Sequence, residues 1–146
     1  MNNFLILSIL FVLLICFYRK YYYNSNQCKL TPESKVFSKN LLGKITNDLT
    51  IIYPSLSDYK ITFYPLECCD LEESLTDDKK KIYICLKNKH GDYYNYNKLL
   101  QVGIHEIAHA ITRKQDPNHT SKEFIENYAR LLQNANNLNL VNIKTL

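Results

Sequence analysis

Residues His105, Glu106 and His109, within GIHEIAHAI (103–111), place two metal-ligating side chains on either side of a carboxylate. The chain has only four histidines, so two within five positions form a concentrated donor set. On a helix of 3.6 residues per turn, positions i and i+4 lie one above the other, about 40° apart around the axis. Both imidazoles then point into one small volume, as zinc requires of ligands held at about 2.0–2.1 Å. Leu100, Ile104, Ile107 and Ile111 form an apolar stripe nearly opposite, so the histidine side faces away from the core and is shared with Lys98, Gln101 and Thr112. Glu106 lies roughly 100° from His105, close enough to a metal-activated water to act as general base without ligating. Such a set supports metal-assisted hydrolysis. The competing reading of the same residues is a surface helix carrying an exposed histidine pair.

A catalytic zinc ion generally takes three protein ligands and keeps one position open. Downstream, QDPNHTSKEF (115–124) contains the turn chemistry Asp116-Pro117-Asn118 and then Thr120-x-x-Glu123, which fits a capping box opening a final helix. His119 then stands just before the N-cap, ten positions after His109, where a short return loop brings it over the helix face. Its packing alternative is a hydrophobic staple against Phe124, and the two roles are compatible. His119 is the leading third ligand; Asp116, Glu123 and Glu126 are the alternatives. For an oxyanion donor the candidate is Tyr128, although its spacing beside Leu131 and Leu132 also suits core packing. Tyr93, Tyr94 and Tyr96 read as packing or rim residues.

The elements that must position this set can be read along the chain. Pro32 and Glu33 open a helix, PESKVFSKNLLGKITNDLTIIY, which Pro54 stops. YKITFYPL (59–66) alternates as a strand does. The charged run LEESLTDDKKK (71–81) reads as a solvated connection. KIYICLKN (81–88) alternates again, and Ile82, Tyr83, Ile84 and Cys85 within it form the candidate edge strand on which an extended peptide would pair. KHGD is a turn, followed by helices over about 97–112 and 121–136. This order predicts an α+β domain with a small sheet.

At 146 residues the chain suits one folded domain, and its net charge of +4 is spread along the sequence. No specific nucleic-acid binding is evident from that distribution. From Phe4 to Tyr18, FLILSILFVLLICFY is apolar except for Ser8, and Arg19 and Lys20 follow. As a helix it reaches roughly 22 Å, which the flanking Asn and Tyr residues extend toward the ~30 Å hydrocarbon core. No cleavage-site pattern accompanies it. The expected organisation is a single-pass transmembrane anchor over 1–20, a tether over 21–31 and a catalytic domain over 32–146. The trailing basic residues favour the cytoplasmic side for that domain. Beyond Cys16 in the span, adjacent Cys68 and Cys69 suit a disulfide framework poorly and no CxxC pair occurs, so Cys28, Cys68, Cys69 and Cys85 are expected as reduced thiols.

HEIAHAITRKQDPNHTSKEF (105–124) resembles the active-site segment of the WLM and SprT-like zinc metallopeptidases, in which HExxH precedes a later His followed closely by an aromatic residue. With IYICLKNKHGDYYNYNKLLQVGI upstream, it is also similar to the strand–turn–helix entry of compact zincins, including homologues in large DNA viruses. The resemblance covers about residues 81–125. It implies a minimal zincin fold, Zn2+ held by His105, His109 and His119, Glu106 as catalytic base, and a protein or peptide substrate. A zincin-fold, membrane-anchored binding or assembly module without protease activity is the alternative function.

Overall fold

The computed structural model describes residues 31–66, 74–113, 116 and 118–142. Three helices and a three-stranded sheet make up this α+β domain: α1 (Pro32–Ile52), a 3-10 turn (Pro54–Tyr59), β1 (Thr62–Leu66), β2 (Leu75–Asp77), β3 (Lys81–Cys85), α2 (Tyr96–Ile111) and α3 (Lys122–Asn137). No helix among the described residues is long and apolar enough to cross a membrane. The anchor expected over 1–20, and the tether up to residue 30, lie outside the described residues.

Each helix begins at a side chain that accepts from an otherwise unpaired N–H group. Thr31 accepts from the Ser34 amide at 3.2 Å, Asn95 from Lys98 at 2.8 Å and Ser121 from Phe124 at 3.2 Å. Pro32 also opens α1, where its missing N–H and fixed φ do no harm. The first two helices fall within a residue or two of the sequence expectation. The third shifts by one: Ser121 rather than Thr120 is the N-cap, and the Glu123 carboxylate accepts from the Arg113 amide at 3.2 Å. The capping box is therefore not formed, because the preceding turn leaves Thr120 outside the helix.

The sheet order is β1-β3-β2, with β1 parallel and β2 antiparallel to β3. This corrects two expectations. The run 71–81 is not wholly a connection, since Leu75–Asp77 forms β2 and returns through a tight turn. Asp78 and Lys79 take φ values of 47° and 55° there, the left-handed pair that matches the twist of a hairpin. The strand containing Ile82, Tyr83, Ile84 and Cys85 is not an edge either. It lies at the centre, paired to a neighbour on each side, and Ile82, Ile84 and Cys85 are all buried. A near-continuous apolar run is what a doubly flanked strand needs, and a solvated edge would expose it. The described edges are β1 and β2.

Helix α2 packs Leu99, Leu100, Ile104 and Ile107, all fully buried, into the core formed with α1, α3 and the sheet. Gly103 lets α1 approach, since a Cβ at this position would lie 2.7 Å from Leu49 Cδ1. At the start of α2, the Tyr96 hydroxyl donates to Asp48 Oδ2 at 2.5 Å, with Lys44 3.3 Å from the same oxygen. Burial raises the Asp48 pKa, but its bonds to Tyr96 and Lys44 outweigh that and hold it below the usual carboxylate value. Cys85 is disulfide-bonded, which corrects the reduced-thiol expectation at that residue.

Candidate metal centre

His105 and His109 project from consecutive turns of α2, and His119 meets them from the loop before α3. The three Nε2 atoms form a triangle: 3.2 Å from His105 to His109, 3.2 Å from His105 to His119 and 2.9 Å from His109 to His119. Hydrogen bonding cannot satisfy all three contacts. Each Nε2 of a neutral imidazole is either a donor or an acceptor, so in a cycle of three at least two like atoms must face each other. A cation at the centre removes the conflict by taking three lone pairs at once. Tetrahedral bonds of 2.0–2.1 Å would separate the nitrogens by about 3.3 Å, close to the observed edges. The set therefore fits zinc in both donor type and spacing.

Local chemistry places His119. Asp116 accepts from the Thr120 amide at 3.2 Å through Oδ1 and from the Ser121 amide at 2.7 Å through Oδ2, closing the turn around the histidine. Those bonds to Ser121 and Thr120 hold its pKa below the usual carboxylate value. His119 adopts φ 56°, a region that residues with a β-carbon seldom occupy and that costs on the order of 1 kcal/mol. The alternative ligands are otherwise placed. Asp116 is engaged in the turn, Glu123 bonds Arg113, and Glu126 faces Lys122 across an exposed pair at 3.6 Å. His90 lies in the turn after β3, outside the cluster.

Phe124 is the shared support. Its buried ring lies 5.3 Å from His105, 4.6 Å from His109 and 5.0 Å from His119, centroid to centroid. The packing role expected of His119 against Phe124 is realised, although the helix register differs. Tyr128 stacks on Phe124 at 6.0 Å and meets His105 edge-on at 5.4 Å. It is half-buried and borders the cleft, and burial raises its pKa so that the phenol stays protonated. The far end of α2 is also held: the Lys79 ammonium donates to the carbonyls of Thr112 and Arg113, and Asn127 donates to the Thr112 hydroxyl at 3.2 Å.

Burial favours the neutral form of His105 and His109. Burial, then the neighbouring His109 and His119, pull the His105 pKa down to about 4. Burial and His119 lower that of His109 as well. Neutral rings keep their lone pairs free for a metal. Glu106 is 5% exposed, and burial raises its carboxyl pKa against a smaller opposing effect from Thr76. The Thr76 hydroxyl lies 2.7 Å from Glu106 Oε2. Sequence reading does not reveal Thr76, because a three-residue strand within a charged run is too short for alternation to register. A cleft of about 1000 Å³ brings Thr76, Cys85, His105, Glu106, His109, His119 and Tyr128 to one surface. Tyr94 borders it too, whereas Tyr93 and Tyr96 are hydrogen-bonded into α1. Of the four strand residues expected to bind substrate, Cys85 reaches the cleft.

The fold and site define a small α+β domain with a three-histidine cluster at the mouth of a cleft. The chain belongs to the family of the "Uncharacterized protein 136R" of Invertebrate iridescent virus 6, with which it is 42% identical over 126 residues, spanning 75% of this chain and 69% of that protein. No protein-family model and no solved structure matches it.

Proposed function

We propose that the chain is a zinc-dependent metallopeptidase of compact zincin type, akin to the WLM and SprT-like enzymes. The observation that carries this reading is the convergence of the three Nε2 atoms to within 3.2 Å of one another, with buried Glu106 bordering the same cleft. His105, His109 and His119 would hold the zinc, which when bound would supply Lewis-acid chemistry to a carbonyl and a water. Glu106, which borders the same cleft, would accept a proton from the attacking water and pass it to the leaving amine. Burial raises its carboxyl pKa, which strengthens it as a proton acceptor. Tyr128, whose ring lies 5.4 Å from that of His105 and lines the same cleft, would be the donor to the developing oxyanion. Phe124 and the Asp116 turn keep the imidazoles oriented. The apolar run over residues 4–18 supports a membrane-anchored form of this enzyme, acting on a protein or peptide beside the bilayer.

Two measurements on the full chain test the reading. Metal analysis should find one zinc per chain, and an unstructured protein should be cleaved by wild type but not by Glu106→Gln. Equal cleavage by both would rule out the mechanism. Zinc binding without any cleavage would favour a binding or assembly module.

A further inference from the structure

Resting on the peptidase reading, we infer that Thr76 is a positioning residue for Glu106, holding one carboxylate oxygen so that the other serves as the base. Thr76 is the middle residue of β2 and its side chain turns toward α2, while its neighbours Leu75 and Asp77 are exposed. Its hydroxyl lies 2.7 Å from Glu106 Oε2 and 3.0 Å from the backbone carbonyl of the same residue. A hydroxyl has one proton to give. The shorter, charge-assisted partner takes it, and this bond fixes Oε2 against β2. Oε1, which Thr76 does not bond, is then the oxygen assigned to the water. The neighbouring carbonyl narrows the hydroxyl's freedom, since it lies on the same residue as the carboxylate.

The placement has a second consequence. Glu106 is buried on α2, where a carboxylate without a hydrogen-bond donor is costly. Thr76 supplies that donor from a different element, so the base keeps one rotamer before substrate arrives. β2 pairs with β3 alone among the described strands. The base and this edge of the sheet are therefore joined through one side chain, and a change at the edge is felt at the carboxylate.

Thr76→Val keeps the shape and removes the proton, and Thr76→Ser restores the hydroxyl. In the zinc-loaded full chain, Thr76→Val should retain one zinc per chain and a KM within about twofold of wild type, while kcat falls about ten- to hundredfold. Thr76→Ser should recover most of that loss. A separate readout needs no activity: infrared spectra of the metal-free chain with carbon-13 in its glutamates. The carboxylate band that disappears in Glu106→Gln should shift in Thr76→Val and stay in place in Thr76→Ser. An unshifted band in Thr76→Val overturns the inference, as does an unchanged kcat. If wild type binds zinc but cleaves nothing, the peptidase reading falls, and a shifted band would still uphold the hold of Thr76 on Glu106.

Discussion

His109 and His119 lie ten positions apart in sequence, and their Nε2 atoms are 2.9 Å apart in space. The contact spans a helix end and a turn, so it depends on two local structures forming independently and meeting at the right angle. Helix α2 would form without His119, but a lone i, i+4 histidine pair would leave the third position of a metal site to solvent.

The turn can be tested apart from the ligand. Asp116→Ala removes both acceptors that close the loop while leaving all three imidazoles in place. Zinc affinity should fall about tenfold, as for other outer-shell partners, and His119→Ala should lower it by more than about a hundredfold. Competition titration with a chromophoric chelator measures both. Equal, unaltered affinity in the two variants would remove His119 from the site.

Glu106→Gln replaces a buried carboxyl with a neutral amide of nearly the same size. Zinc content and fold should be preserved, and kcat should drop by a factor on the order of 10² to 10⁴. Steady-state cleavage at saturating zinc, with metal analysis of the same samples, separates loss of the base from loss of the metal.

Acid should destabilise the metal-free chain through His105. Its folded pKa of about 4 lies below the ordinary 6.5, so between those values the unfolded chain binds a proton that the folded chain does not. Stability should therefore decline as pH falls from about 6.5 toward 4 and level off below that. Urea unfolding of the chelator-treated chain at stepped pH gives the slope, which should be shallower in His105→Ala. Identical slopes in the two would contradict the assignment.

Two glycines in helices should respond differently to alanine. At Gly43 of α1 an added methyl group would have no heavy atom within 4 Å, so Gly43→Ala should stabilise by about 0.5–1 kcal/mol through helix propensity. At Gly103 the new Cβ would meet Leu49 Cδ1 at 2.7 Å inside a fully buried contact. Overpacking costs about 1–3 kcal/mol and offsets the propensity gain, so Gly103→Ala should be neutral or destabilising. Denaturant midpoints of the two variants decide it.

Much of this molecule is legible in one dimension because its signals are local. Pro32 and Glu33 announce the start of α1 by their types alone, and Leu100, Ile104 and Ile107 share a face through the helical period alone. His105, Glu106 and His109 belong to the same category: their relative placement follows from 3.6 residues per turn. His119 extends that pattern through the turn chemistry around Asp116, which reads correctly even though the cap falls one residue later than Thr120 suggests.

Where distant segments meet is another matter. Alternation marks 81–85 as a strand, but only pairing determines that it sits between β1 and β2 instead of at an edge, since period 2 is the same in either position. β2 is three residues long inside a charged run, and its partner lies across a hairpin whose two left-handed residues are Asp78 and Lys79 with no glycine to signal them. Thr76 consequently reaches Glu106 across 30 positions, and Phe124 touches all three imidazoles from another helix. Residue type and helical spacing are enough to bring the donors His105 and His109 together. What orients those donors is a product of the folded chain, because the contacts responsible join elements with no periodic relation to one another.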